Sequence, residues 1–110
     1  MKYLLNSAVI TGPGVYQYEY IDKQNALVWA AGTFVSAIGY EQTALALQLI
    51  IGVEVPVNRK IVNMEPGDQA LVFRLVFPPG TDRIDPKDKG KLEDQILQGN
   101  YELGLLTRLS

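Results

Sequence analysis

Apolar positions along this chain change period several times, and each change predicts a new element. Met1 to Asn6 is a short apolar run that ends on Asn6-Ser7 and predicts a first strand. Thr11-Gly12-Pro13-Gly14 is turn chemistry. Val15 to Tyr20 alternates, with Tyr16, Tyr18 and Tyr20 on one face and Val15, Gln17 and Glu19 on the other. That pattern predicts a half-exposed edge strand. Asp22 as an N-cap and Gly32 as a stop bracket a helix over Lys23 to Ala31.

The stretch from Phe34 to Gly52 organises the rest. Phe34 to Ile38 reads as a strand, Gly39 as a corner, and Glu41 to Ile51 as a helix. Only Glu41, Gln42, Thr43 and Gln48 are polar in that helix, so it is expected to be covered on most sides. Val57 to Asn63 reads as a strand carrying Asn58, Arg59 and Lys60, followed by a Glu65-Pro66-Gly67-Asp68 turn. Gln69 to Phe77 is apolar on both faces apart from Arg74, which predicts an interior strand. An arginine there needs an anionic partner, from Glu19, Glu102 or a ligand. Pro78-Pro79-Gly80 breaks the chain, Asp85-Pro86 opens a helix that runs to Gln98, and Tyr101 to Leu109 closes as a strand. The prediction is one domain over residues 1–110, of mixed α/β (α+β) class. It holds a mixed sheet of about five to six strands packed with about three helices.

Composition narrows the chemistry. The apolar fraction of 47% is that of a globular chain. There is no Cys and no His, which removes thiolate chemistry, zinc-thiolate sites and the commonest general acid/base. No cofactor or metal is expected. A net charge of −2 argues against strong duplex nucleic-acid binding. No segment reaches the roughly 18 apolar residues of a membrane span, and the N-terminus lacks a signal-peptide pattern. A cytoplasmic location is therefore expected.

The polar residues placed at strand ends are Asn6, Ser7, Tyr40, Glu41, Thr43, Arg59 and Arg74. Two arginines, an amide, hydroxyls and a helix N-terminus make a phosphate-binding set. Gly39 brings the first helical turn directly off a strand end, where free N–H groups face outward. No Walker loop, dinucleotide fingerprint or nucleophile elbow is present.

Four segments, LLNSAVI, SAIGYEQTALAL, PVNRKIVNMEPGDQALVFRL and YELGLLTRL, resemble the viral ring nuclease family of type III anti-CRISPR proteins. The resemblance implies a homodimer whose two-fold pocket binds cyclic tetra-adenylate. It places Asn6 and Arg59 against the ligand and Gly39 in the family's IGH motif. Arg74 stands where the family has a pocket glutamine, and Val9 where it has a serine. Tyr40 stands at the position of the catalytic histidine. A phenol protonates a leaving oxygen far less readily than an imidazolium at neutral pH. The family's arginine and glutamate after the long strand are replaced by Phe77-Pro78-Pro79-Gly80.

The expectation is therefore a protein that binds and sequesters a cyclic oligonucleotide or related nucleotide messenger, antagonising nucleotide-signalled antiviral defence, with slow or no cleavage. One alternative is an active ring nuclease in which Tyr40, Glu41 or Lys60 replace the lost groups. Another is a nucleic-acid or protein-interaction module using a patch of Arg59, Lys60, Arg74 and Arg108.

Overall fold

The structure, a computed structural model, describes residues 1–8, 12–76, 94 and 96–110. The described residues form strands β1 (Lys2–Leu5), β2 (Tyr16–Tyr20), β3 (Val35–Ser36), β4 (Gln69–Leu75) and β5 (Tyr101–Arg108). They also form helices α1 (Lys23–Ala30) and α2 (Glu41–Ile51). The sheet is mixed, in the order β2-β5-β4-β1-β3. β1 pairs parallel with both β3 and β4, and β5 pairs antiparallel with β4 and β2. The α+β class, the mixed sheet and the two helices through Ile51 follow the sequence reading.

Local chemistry explains the helix limits. Asp22 caps α1, its carboxylate accepting the Asn25 N–H at 2.8 Å. Gly52 ends α2 in the left-handed region at φ 72°, donating its N–H to the Gln48 carbonyl. Helices α1 and α2 pack Ala26, Ala30, Leu47 and Ile50 onto Leu4, Leu71, Phe73 and Leu103 of the sheet. Coverage of α2 is less complete than expected, because Leu49 on its outer side is 47% exposed.

The opposite sheet face carries Leu5, Ala70, Val72 and Leu106, and is covered by Val62 and Met64. Val62 belongs to the stretch expected to be a strand over Val57 to Asn63, and Met64 directly follows it. That stretch is coil instead. Pro56 lacks an N–H, and Val57 and Ile61 are 52% and 86% exposed. Asn58 nevertheless bonds the edge of the sheet, its N–H reaching the Ile38 carbonyl at 2.8 Å and its Nδ2 the Ser36 carbonyl at 2.8 Å. Ser36 Oγ donates in turn to the Pro56 carbonyl at 2.7 Å. The coil thus closes the β3 edge without adding a sixth strand.

The helix expected from Asp85-Pro86 to Gln98 lies mostly outside the described residues, as does the Phe77-to-Gly80 loop. Asp94, Ile96 and Leu97 are helical. No helix among the described residues is long and apolar enough to cross a membrane.

Candidate functional site

From β1 the chain builds β3 on one side and β4 on the other. The carboxyl end of β1 is therefore a point where strand order reverses, and crevices in open sheets form there. Asn6 sits just past that end. Leu5 is level with Val72, which brings Asn6 beside Phe73 and Arg74. Helix α2 starts next to it, after the Gly39 corner.

These elements enclose a cleft of about 240 Å³. Asn6, Tyr40, Gln42, Thr43 and Arg74 supply its polar lining, and Phe73 and Leu75 its apolar part. Four of the residues singled out from the sequence thus meet in one place. Asn6 also lines a second cleft of about 210 Å³, together with Ser7 and Lys60. Ser7 therefore belongs to that neighbouring cleft and not to the α2 cleft.

Arg59 lies across the corner. Its guanidinium carbon is 5.0 Å from the centre of the Tyr40 ring, a cation–π contact, and its Nη2 donates to the Gly39 carbonyl at 3.3 Å. A Cβ on Gly39 would come within 3.0 Å of Arg59 Nε. The glycine therefore leaves room for the close approach of Arg59, whose side chain would have to give by a few tenths of an ångström to admit a Cβ; it takes no unusual backbone angle. The arrangement holds Arg59 and Tyr40 beside the first turn of α2.

Tyr40 is the N-cap of α2, with extended backbone and no side-chain cap bond. Ala44 N–H is bonded to the Tyr40 carbonyl, and the N–H groups of Glu41, Gln42 and Thr43 precede the first helical acceptor. Their partial positive charge lies at the end of α2 whose residues Tyr40, Gln42 and Thr43 line the cleft. Glu41 in the same turn offsets part of it.

Gln42 is the residue that sequence reasoning left out of the site. Its Nε2 is buried and has no hydrogen-bond partner. A buried donor without an acceptor costs about 1–3 kcal/mol. The signal was an amide at the second position of a helix whose other polar residues are Glu41, Thr43 and Gln48.

Arg74 pairs with Glu102 across the β4–β5 ladder, at 3.5 Å from Nε to Oε2. Of the partners foreseen, Glu102 is the one found. The side chains are 58% and 36% exposed, so the pair holds Arg74 weakly and leaves it able to meet a second anion.

The patch of Arg59, Lys60, Arg74 and Arg108 does not form. Arg108 lies at the other end of the ladder, level with Tyr16, while Arg74 is level with Glu102. Its guanidinium is occupied by the carbonyls of Pro13, Met64 and Ser110. No cluster of carboxylates able to hold a metal is found among the described residues.

Comparison with known proteins gives a family. Residues 2–93 match the model of the STIV B116-like family. A protein of Bacillus subtilis (strain 168), the uncharacterized protein YddF, is 32% identical over 108 residues, which is 96% of this chain and 94% of that one. The uncharacterized protein ORF117 of Acidianus two-tailed virus is 52% identical over 42 residues, 38% of this chain and 36% of that protein. Among solved structures, B116 of Sulfolobus turreted icosahedral virus superposes with a TM-score of 0.73 at 20% identity. The match covers 97% of this chain and 98% of that one, and it supports the fold. These matches correct the assignment to the viral ring nuclease family: the matching model is the STIV B116-like one, and it replaces that assignment.

Proposed function

The chain belongs to the STIV B116-like family, and from the geometry of its α2 cleft we propose that it binds a cyclic oligonucleotide or related nucleotide messenger and sequesters it. The observation that carries the reading is the partnerless Gln42 amide in a cleft that also holds the first-turn N–H groups of α2 and the Arg74 guanidinium. All three are donors. A phosphate offers several acceptor oxygens and a charge suited to a helix N-terminus. Tyr40, 55% exposed and backed by Arg59, gives a ring on which a nucleobase stacks.

A cleft of this size takes one phosphate and its sugar, not a whole ring. Binding a cyclic ligand therefore calls for two copies related by a two-fold axis, each meeting half of it. Relatives in viruses suit a product that withdraws a host signal. Sequestration needs no catalytic group, which accords with a site without His or Cys.

The test is calorimetry with cyclic tetra-adenylate at near-equal concentration, followed by chromatography of the recovered nucleotide. One intact ring per two chains is the expected result. Linear fragments would replace sequestration by ring opening. Silence with cyclic di-, tri-, tetra- and hexanucleotides alike would overturn the reading.

A further inference from the structure

Where β2 ends and α1 begins, the chain encloses a third cleft, of about 420 Å³. Asp22, Asn25 and Trp29 line it from α1, at spacings that place them on one stripe of a helix. Glu19 lines it from β2, level with Leu105 of β5. Ile21 sits at the corner between strand and helix.

Trp29 is fixed in place. Its Nε1 donates to Gln69 Oε1 at 3.2 Å. Lys2 Nζ donates to the Trp29 carbonyl and stands 4.4 Å from the centre of the indole. The ring thus already seats one ammonium within the chain. The cleft itself holds two carboxylates and no basic side chain. Asp22 spends one oxygen on the Asn25 N–H, at 2.8 Å. Glu19 makes no ion pair with a described residue. Lys2 is committed to Trp29, and Lys23 lines a different cleft beside Leu49.

This lining narrows the ligand. A calcium or magnesium ion takes about six oxygens, and no group of three carboxylates occurs among the described residues. A quaternary ammonium has no N–H to give to Glu19, Asp22 or the Asn25 amide, and it asks for a cage of rings. The volume is that of a small-molecule site. Acceptors from two elements, set beside Leu105, Ile21 and an indole, call for N–H cations joined by methylenes.

We propose that this cleft binds a short aliphatic polyamine, its ammonium groups on Glu19 and Asp22 and its methylenes on Leu105, Ile21 and the Trp29 indole. The site is built on β2, β5 and α1, whereas the α2 cleft is built on β1, β4 and α2. Polyamine binding is therefore independent of any nucleotide in the α2 cleft.

Trp29 is the one tryptophan of the chain, so its fluorescence reads the cleft directly. Putrescine and butylamine share a butyl chain and differ by one ammonium. At low salt, putrescine is expected to change the emission saturably and to bind about fivefold more tightly than butylamine, because it engages a second carboxylate. Choline chloride at equal ionic strength is expected to give no saturable change. Glu19→Gln should remove the advantage of putrescine, and Glu54→Gln, a carboxylate outside the cleft, should keep it. Glu19 is exposed, so its substitution leaves the fold intact. Equal binding of the two amines, a response that choline reproduces, or an advantage that survives Glu19→Gln would each overturn the proposal. A silent fluorescence titration is repeated by calorimetry, and absence of heat there overturns it as well.

Discussion

Asp68 is a buried carboxylate that the sequence presented only as part of a turn. It accepts the Glu65 N–H at 2.9 Å and the α-ammonium of Met1 at 3.0 Å. Burial alone would raise its pKa. The backbone bond, the ammonium and nearby Arg108 outweigh that and hold it below the usual carboxylate value. A carboxylate depressed in the folded state adds stability above its unfolded pKa, near 4, and that stability is lost as pH falls through the lower folded value. Urea unfolding across this range is expected to show wild-type stability declining with acid. Asp68→Asn should be less stable at pH 7 and flatter below pH 5. An unchanged acid limb in that variant would exclude Asp68 as its source. Nothing in the hydrophobic pattern revealed this residue, because two of its partners, Met1 and Arg108, lie far from it along the chain.

Elements were legible where a period persists. The alternation of β2, the apolar run of β4, and the helices α1 and α2 with their Asp22 and Gly52 signals were all readable, because local propensity and tertiary packing agree there. The reading of Val57 to Asn63 as a strand went wrong because its β-branched residues serve other ends: Val62 covers the sheet, while Val57 and Ile61 face outward. What holds this coil is a set of single bonds that no periodicity encodes. Asn58→Ala removes the amide bond to Ser36 and is expected to cost about 1 kcal/mol. Thermal unfolding measures it, and a loss no larger than that of an exposed control substitution would show that the coil is held by Val62 and Met64 alone.

At the scale of the molecule, the candidate site gathers residues from β1, β4 and the start of α2. The types were readable in the sequence, but their meeting was not, since strand order is not written in any one segment. Asn6, Tyr40, Thr43 and Arg74 converge, Ser7 turns to the next cleft, and Gln42 enters as a donor. If the cleft binds nucleotide phosphate, Arg74→Ala is expected to weaken cyclic tetra-adenylate binding by about 1–2 kcal/mol and to lower its salt dependence. Titration at two salt concentrations checks both effects. Arg59→Ala should also lose affinity through the freed Tyr40 ring.

The two margins of the sheet are treated in opposite ways. At β3 the coil through Asn58 occupies the backbone groups without presenting a strand of its own. At β2 no described residue pairs with the outward backbone groups. The bonds to Ser36 and Ile38 take a strand's place at the β3 margin, so sheet growth from this side would first have to displace the coil.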